Sequence, residues 1–304
     1  MSKGRVIKST GSWYEVKDDD GRIWLCRLRG KMRLNGLRTT NPVAVGDIVS
    51  FEQEQGKETC VIEKVAPRSN VIIRKSVNLS KESHIIASNV DQAVLVATLA
   101  YPRTSTGFID RFLVTAEAYH IPTIIVFNKN DIYDDEQQQQ VETLCKAYNE
   151  IGYEAFMVSA KTGFNTERLK NLLHDKLTLL SGHSGVGKSA LINRLDPALN
   201  LKEGVISEVH EKGMHTTTFS QMFPLVFGGY IIDTPGIKEF GLFDLDKNTL
   251  AQRFPEMRAL MDSCKFSNCT HLHEPQCAVK KAVADGLIQQ WRYTNYVNMI
   301  NTDE

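Results

Sequence analysis

Residues 182–189 read GHSGVGKS and satisfy every position of the phosphate-loop pattern G-x-x-x-x-G-K-[ST]. An apolar segment at residues 177–180 precedes this motif, and a helical pattern at residues 190–195 follows it. Glycines placed between a strand and a helix let backbone amides surround phosphate groups, which also face the positive end of the helix. The chain is therefore expected to contain a domain in which strands and helices alternate around a phosphate-binding loop.

The side chains of this loop have different expected roles. Lys188 can reach the β and γ phosphates of a nucleotide, and Ser189 can hold Mg²⁺. His183 occupies a variable position of the pattern. The predicted phosphate-binding residues are Gly182, His183, Ser184, Gly185, Val186, Gly187, Lys188, Ser189 and Ala190.

Two further motifs, each just beyond a predicted strand, select the base. Residues 128–131 read NKND, and the carboxylate of Asp131 can accept hydrogen bonds from both N1–H and the 2-amino group of guanine. Adenine lacks this pair of donors, so the motif favours GTP over ATP. Residues 159–162 read SAKT and are typical of the loop that contacts the guanine O6 atom. The predicted base-binding residues are Asn128, Lys129, Asp131, Ser159, Ala160 and Lys161.

The segment after the phosphate loop supplies the groups expected around Mg²⁺ and the γ-phosphate. Residues 233–236 read DTPG, in which Asp233 supports Mg²⁺ through water and the amide of Gly236 senses the γ-phosphate. Residues 213–218 read GMHTTT and fall where the first switch of a GTPase belongs. One of their threonines should complete the Mg²⁺ coordination. The sequence alone does not choose among the three, and we assign Thr217.

The base-reading motifs precede the phosphate loop, whereas GTPases usually carry them after the D-x-x-G motif. The same sheet can be built with its chain ends relocated, so this order indicates a circular permutation that preserves the site. One consequence is that the DTPG segment leads directly into the C-terminal region. The nucleotide state could therefore be transmitted to that region.

The flanking segments carry other patterns. Five short strand patterns over residues 5–66, with a turn at residues 18–21, predict a small closed β-barrel such as an OB-fold. Alternating strand and helix patterns from residue 85 onward predict a parallel α/β sheet with helices on both faces. The expected domains are an OB-fold RNA-binding domain at residues 1–67, a circularly permuted P-loop GTPase domain at 68–243 and a mostly helical zinc-binding domain at 244–304.

Three of the six cysteines lie within fourteen residues near the C-terminus. The pattern C-x4-C-x-H-x5-C offers three thiolates and an imidazole, which form a complete tetrahedral set for structural Zn²⁺. Its members are Cys264, Cys269, His271 and Cys277. Four protein ligands leave no open position for metal catalysis, and on spacing alone His273 is an alternative to His271.

In its motif order, its GMHTTT segment and its cysteine cluster, the chain resembles the RsgA family (YjeQ/YloQ) of circularly permuted GTPases. The resemblance covers essentially the whole length. It implies GTP hydrolysis stimulated by the small ribosomal subunit, release of maturation factors late in assembly and sensitivity to guanosine tetraphosphate. It also implies His271, rather than His273, as the zinc ligand.

The residue that activates water must differ from that of Ras-like GTPases, which use a glutamine just after D-x-x-G. Here this position holds Ile237, which neither orients water nor transfers a proton. His215 lies in the GMHTTT segment, titrates near neutral pH and could do either. The family resemblance indicates the same histidine. The alternative is that His215 is a solvated loop residue that contacts ribosomal RNA.

Global charge predicts no partner, because 36 basic residues balance 36 acidic ones. Residues 21–46 nevertheless contain no acidic side chain and six basic ones, which can neutralise RNA phosphates. The RNA contacts predicted from this stretch are Arg27, Arg29, Lys31 and Arg33, with solvated surface charge as the alternative. Arg292, Tyr293 and Tyr296 of the last predicted helix could add contacts, although Tyr296 could equally belong to the core.

The longest apolar run, at residues 93–101, is about half the length of a membrane span, and the N-terminus leads into no apolar signal region. We therefore expect a cytoplasmic protein, monomeric and without a membrane contact. Two other function classes stay open on the sequence. One is a nucleotide-dependent RNA-binding factor for which hydrolysis is incidental. The other is an ATP-dependent RNA enzyme, which Asp131 opposes.

Overall fold

A computed structural model of the chain describes residues 1–29, 42–75, 83–201, 221–233 and 247–301. The strands of these ranges are β1 (Ser2–Ser9), β2 (Tyr14–Asp18), β3 (Ile23–Leu28), β4 (Ile48–Gln53), β5 (Cys60–Val65), β6 (Val71–Lys75), β7 (Ser83–Ser88), β8 (Gln92–Ala97), β9 (Thr123–Phe127), β10 (Glu154–Met157), β11 (Leu177–Ser181), β12 (Gln221–Pro224) and β13 (Tyr230–Asp233). The α-helices are α1 (Thr106–Ala118), α2 (Asp135–Ile151), α3 (Thr166–Leu173), α4 (Lys188–Leu195), α5 (Pro255–Arg258), α6 (Ala278–Ala284) and α7 (Gln290–Asn301). Short 3-10 helices cover Asn130–Ile132, Pro197–Leu199, Lys247–Arg253 and Met261–Ser263. None of the described helices combines the length and the apolar composition needed to cross a membrane.

The first five strands close into a barrel, because β1 pairs with β2 along one edge and with β4 along the other. The ring is completed by β2 with β3, by β3 with β5 in parallel, and by β5 with β4. Val16 and Phe51 are among the side chains that fill its interior. Cys26 and Cys60 face each other there, and burial together with Cys60 raises the pKa of Cys26 to about 12. Both cysteines are therefore packing residues, and the predicted OB-like barrel is confirmed.

The central domain is built on five parallel strands in the order β10, β9, β8, β11 and β13, with β12 antiparallel beside β13. Successive residues of β8 are buried on opposite faces. Ala93 and Leu95 pack in a cluster with α1 and α2, whereas Val94 and Val96 pack in a cluster with α3 and α4. Burial on both faces explains why the strand is apolar at consecutive positions. The predicted α/β sheet is confirmed.

Barrel and central domain share one sheet. Strand β12 pairs with β1 through Gln221 and Lys8, so eleven strands are hydrogen-bonded from β10 to β4. The ammonium group of Lys17 in β2 also donates a hydrogen bond to the hydroxyl of Tyr230 in β13, at 2.8 Å. Strand patterns predict which residues are extended but not which strands pair with each other. The sequence therefore does not predict that the barrel and the central domain share a sheet.

A separate antiparallel hairpin, formed by β6 and β7, lies between the barrel and the central domain in sequence. Ile72 and Ile85 are each 1% exposed, and Ile72 belongs to the core cluster beneath α1 and α2. The sequence predicts a domain boundary between residues 67 and 68 but does not predict this hairpin.

Asp47, just before β4, is the polar centre of the junction between barrel and hairpin. Its fully buried carboxylate accepts hydrogen bonds from the guanidinium of Arg68 at 2.6 Å and from the hydroxyl of Ser88 at 2.6 Å. The backbone amide of Ala44 donates a further bond at 2.8 Å. Because Ser88 ends β7 and Arg68 follows the barrel, one carboxylate fixes the two parts relative to each other.

Residues 247–301 pack as a small helical module against α1. The core of this module contains Phe254, Met257 and Tyr296, each at most 1% exposed. Val114 of α1 completes the same cluster. The module therefore does not bury its core alone, since part of its core comes from the central domain.

Replacing Asp47 by alanine leaves the guanidinium of Arg68, whose side chain is only 10% exposed, without a carboxylate. Removing one partner of a buried pair typically costs about 3–5 kcal/mol. Because of this cost, we expect the midpoint of urea unfolding to fall markedly. Tryptophan fluorescence can follow the unfolding, since two of the three tryptophans lie in the barrel. Glu15→Ala, also in the barrel, is the control, because it removes a solvated ion pair with Lys8 and should shift the midpoint little. Equal midpoints for the two variants would contradict the role of Asp47.

Candidate functional site

The phosphate loop joins the end of β11 to the start of α4, as predicted. At two positions of the loop, both the backbone conformation and the lack of space for a Cβ atom require glycine. Gly182 has φ +143°, and a Cβ atom there would lie 2.2 Å from the carbonyl oxygen of Val96. Gly187 has φ +93°, and a Cβ atom there would lie 2.4 Å from the amide nitrogen of Asn128. A side chain at either position would push the loop away from the sheet.

Lys188 lies against the loop and is 7% exposed. Its ammonium group donates hydrogen bonds to the carbonyl oxygens of Gly182 at 2.7 Å and His183 at 2.9 Å. Ser189 follows in the first turn of α4 and is also buried. By contrast, Ser184, Gly185 and Ala190 are exposed, whereas Val186 is fully buried.

Asn128 joins the phosphate loop to both base-reading segments. Its side chain is buried; Nδ2 donates a hydrogen bond to the carbonyl oxygen of Val186 at 2.9 Å, and Oδ1 accepts one from the amide of Ala160 at 3.1 Å. The parallel strands β9, β10 and β11 deliver the three segments to the same edge of the sheet. The carboxyl edge of a parallel sheet is where ligands of α/β folds bind.

Asp131 lies in the 3-10 helix Asn130–Ile132, and two groups contact its carboxylate. The hydroxyl of Ser159 donates a hydrogen bond to Oδ1 at 2.6 Å, and the ammonium group of Lys161 lies 3.9 Å from Oδ2. Lys129 precedes this helix in the left-handed conformation, with φ +68°. The structure therefore brings the predicted base-reading residues together beside the phosphate loop.

Part of the predicted site lies outside the described residues. This part comprises Lys31, Arg33, His215, Thr217 and Gly236. Asp233 is the last residue of β13, which runs parallel to β11, so its backbone lies at the same sheet edge as the phosphate loop.

His183 makes a contact that the sequence does not predict. Its ring lies against that of Phe108 near the start of α1, with centroids 3.8 Å apart and planes tilted by 31°. Burial, reinforced by the Lys188 ammonium, lowers the pKa of His183, so the imidazole is neutral at pH 7. Helical periodicity places Phe108 beside the buried stripe of α1 but gives no information about its distance from the loop.

The four predicted metal ligands converge, with all ligand atoms within 4.8 Å of one another. Nδ1 of His271 lies 3.3 Å from the sulfur of Cys277 and 3.7 Å from that of Cys264, and these two sulfurs are 4.0 Å apart. A tetrahedral ion with Zn–S bonds of about 2.3 Å separates its ligand atoms by roughly 3.5–3.8 Å. The cluster, completed by Cys269, therefore fits such an ion. Burial lowers the pKa of His271, which keeps its imidazole neutral for metal binding, whereas His273 is exposed.

The loop that carries these ligands is held from two sides. The carboxylate of Glu274 accepts hydrogen bonds from the amide and the hydroxyl of Thr270, both at 2.6 Å. Burial opposes the charge, but these bonds and others from the backbone outweigh it and lower the pKa of Glu274 to about 2. From α7, the hydroxyls of Tyr293 and Tyr296 donate to the carbonyl oxygens of His271 at 2.7 Å and Thr270 at 2.6 Å.

The last helix does not offer the RNA contact predicted for Arg292. This residue is fully buried, and its guanidinium pairs with the carboxylates of Asp110 at 2.6 Å and Glu256 at 2.7 Å. The prediction was wrong because a basic residue in a short helix does not reveal which face the fold covers. Tyr296 lies in the module core, as the alternative interpretation had it.

Arg27 and Arg29 lie on and just beyond β3, where both are exposed but paired. Arg27 pairs with Glu54, and Arg29 pairs with Glu63 at 2.7 Å. Together with Glu52, these residues line an open groove of about 380 Å³. Arg27 and Arg29, which belong to the stretch that is free of acidic residues, are thus faced by carboxylates from other parts of the barrel, and the local sequence does not predict this.

Comparison with known proteins decides the family. A family model described as RsgA GTPase matches residues 65–243, and a model of the RsgA N-terminal domain matches residues 3–61. The small ribosomal subunit biogenesis GTPase RsgA 2 of Bacteroides thetaiotaomicron is 53% identical over 99% of this chain and 97% of its own length. The chain belongs to the RsgA GTPase family.

Solved structures of the family agree with this assignment. YjeQ from Thermotoga maritima superposes with a TM-score of 0.80 at 38% identity, covering 98% of this chain and 97% of its own. YloQ, described as a circularly permuted GTPase, superposes with a TM-score of 0.77 at 32% identity, covering 99% and 94%. The resemblance and the permuted fold inferred from the motif order are therefore confirmed.

Asp131→Asn places an amide donor where guanine also donates. We expect GTP affinity to fall by roughly 10- to 150-fold, the equivalent of about 1.5–3 kcal/mol for a hydrogen bond to a charged group. Xanthosine triphosphate, which has an acceptor at the 2-position, should bind better than it does to the wild type. Titration with both nucleotides checks this. Asp134→Asn is the control, because Asp134 caps α2 and asparagine caps equally well. Unchanged GTP affinity in Asp131→Asn would contradict the base assignment.

The metal cluster predicts one Zn²⁺ per chain in freshly purified protein, measured by elemental analysis. Cys269→Ser should lose most of this zinc and loosen the C-terminal module, which limited proteolysis would detect. Cys145→Ser removes a buried thiol from α2 and should retain the metal. Protein that is purified without chelators and contains no stoichiometric zinc would refute the assignment.

Proposed function

We propose that this chain hydrolyses GTP to GDP and phosphate as a checkpoint late in the assembly of the small ribosomal subunit, and that the subunit stimulates the hydrolysis. The observation that carries the proposal is the pair of hydrogen bonds made by Asn128, which sets the guanine-reading segments beside the phosphate loop. Membership of the RsgA GTPase family supports GTP as the substrate. The name shared by the relatives, small ribosomal subunit biogenesis GTPase, supports the choice of partner.

The nucleotide spans the carboxyl edge of the parallel sheet in this proposal. Asp131 accepts hydrogen bonds from guanine, and residues 159–161 contact its O6 atom. The amides of residues 182–190 and the ammonium group of Lys188 hold the phosphates. The support for this placement is that Lys188 already bonds the loop carbonyls, which sets its ammonium group at the phosphate-binding backbone.

Mg²⁺ bound with GTP neutralises charge on the phosphate oxygens during transfer. Ser189 and Thr217 are the side chains proposed to hold the ion, and Asp233 would support it through water. The amide of Gly236 would contact the γ-phosphate. Ser189 lies in the first turn of α4, directly after the lysine, as this role requires.

His215 is the residue proposed to orient or deprotonate the attacking water. Ile237 occupies the place of the usual glutamine and has no group for either task. We expect hydrolysis by the isolated protein to be slow, and a partner that positions His215 of this switch segment to accelerate it.

The barrel and the C-terminal module are the proposed contacts with the subunit. Exposed ion pairs contribute little to stability, so Arg27 and Arg29 can exchange Glu54 and Glu63 for RNA phosphates at small cost. Lys31 and Arg33 would extend this contact. The zinc ion stabilises the fold of the module and takes no part in hydrolysis.

The test is GTP turnover with and without purified small subunits, for the wild type and for His215→Ala. Stimulation should be strong in the wild type. Loss of a positioned acid–base group typically costs about 10²–10⁴-fold, so the variant should lose most of the stimulated rate while still binding GTP and subunits. His174→Ala is the control, because this exposed histidine precedes β11, at the sheet edge opposite the phosphate loop.

Two results would contradict the proposal. Turnover that does not respond to small subunits would favour an RNA-binding factor for which hydrolysis is incidental. Equal loss of subunit binding and of turnover in His215→Ala would make this histidine a contact residue and not the group that acts on water.

A further inference from the structure

The first turn and a half of α1 contacts the phosphate loop on one side and the C-terminal module on the other. Phe108 stacks on His183 of the loop. Two residues later, Asp110 receives the guanidinium of Arg292 from the module. The proposed phosphate site and the metal-binding module therefore meet at opposite sides of one short piece of helix.

On the loop side, the contact acts on the backbone that holds Lys188. The carbonyl oxygen of His183 accepts a hydrogen bond from this ammonium group at 2.9 Å. The ring of the same histidine rests on Phe108, with centroids 3.8 Å apart. A displacement of Phe108 therefore moves His183, and with it a carbonyl group that positions Lys188.

On the module side, Asp110 is fully buried and fully engaged. Its carboxylate accepts hydrogen bonds from Arg292 at 2.6 Å, from the amide of Asn295 at 2.6 Å and from the hydroxyl of Tyr148 at 2.9 Å. Arg292 uses its other N–H groups on Glu256, at 2.7 and 3.2 Å. Separating such a pair leaves uncompensated charges away from water, so α1 and α7 must move together.

Beyond Arg292, α7 reaches the metal-binding loop directly. The next residue, Tyr293, donates to the carbonyl oxygen of His271, and Tyr296 donates to that of Thr270. Burial opposes the charge of Arg292, but Asp110 and Glu256 outweigh it and raise the pKa of the guanidinium, which therefore stays charged. The metal-binding loop, α7, α1 and the phosphate loop thus form one series of contacts.

We infer that Phe108 and Arg292 are positioning residues for nucleotide binding, through which the C-terminal module sets the conformation of the phosphate loop. This route runs through α1 and is separate from the covalent connection at residues 234–246. It goes beyond the proposed hydrolysis but rests on the proposed nucleotide site. It follows that a partner that displaces the module changes how tightly the phosphate loop binds the phosphates, even when the contacts to the guanine base stay the same.

The experiment is a double-mutant cycle on the rate of GDP release from the full chain, followed with a fluorescent GDP analogue. Arg292→Lys keeps the charge but cannot reach both carboxylates as a guanidinium does. It should speed release by about 5- to 20-fold, within the range typical of coupling between sites. Phe108→Leu should speed release by a similar factor. Their combination should exceed either single variant by less than about twofold, because both interrupt the same series of contacts.

A matched control and a milder variant complete the design. Arg258→Met removes an exposed ion pair with Glu117 that also joins the module to α1, but at its far end, so GDP release should stay at the wild-type rate. Asn295→Ala removes one donor to Asp110 and serves if Arg292→Lys does not fold. Thermal melting of each variant separates a general loss of stability, which would be additive in the cycle, from the predicted non-additive change in release.

Three results would overturn the inference. These are an unchanged release rate in Arg292→Lys, multiplicative effects in the double variant, and an effect of Arg258→Met as large as that of Arg292→Lys. If the wild type does not bind GDP at all, the proposed function fails and the inference fails with it. If GDP binds but the effects multiply, only the inference fails.

Discussion

Asn128 is a buried amide, so both of its polar ends need partners within the protein. Its donor meets Val186, 58 residues along the chain, and its acceptor meets Ala160, 32 residues along. If either segment moved, a buried polar group would lose its hydrogen bond, which typically costs about 1–3 kcal/mol. Gly187 lies so close to the same amide that a side chain at this position would not fit. The three segments of the proposed nucleotide site are thus held together by one side chain.

This dependence explains why a permuted chain can keep the site. The contacts of Asn128 join the segments that follow the parallel strands β9, β10 and β11 at one edge of the sheet, and they do not depend on the order in which the chain visits those strands. The permutation instead changes what is attached to the sheet. The barrel continues the sheet through the pairing of Lys8 with Gln221, and the C-terminal module follows the last parallel strand. Both attachments are therefore close to elements that carry the nucleotide motifs.

Local patterns were enough to predict most strands and helices, because apolar periodicity reflects burial directly. The P-loop, the base motifs and the cysteine cluster were predictable because their spacing is dictated by chemistry. The sequence does not reveal pairings between distant edges, such as β1 with β12, or the partner of a charge. Arg292 is an example of a charge whose partner the sequence does not reveal. Its charge suggested a contact with RNA, but its guanidinium is paired with Asp110, 182 residues away. The role of Phe108 could not be predicted for the same reason, because its contact with His183 joins residues that are far apart in the sequence.

Buried and exposed arginines consequently have opposite uses in this protein. Arg29 pairs with Glu63 at the surface, where its guanidinium is solvated and can leave the carboxylate at small cost, as the proposed RNA contact requires. Arg292 has no such freedom, because moving it away from Asp110 would leave a charge without water or a partner. A module attached by a chain segment alone can rotate about that segment, whereas one held also by a buried ion pair must move with the helix that bears it. Force on the module is therefore delivered to α1, and the ring of Phe108 near the start of α1 supports the phosphate loop.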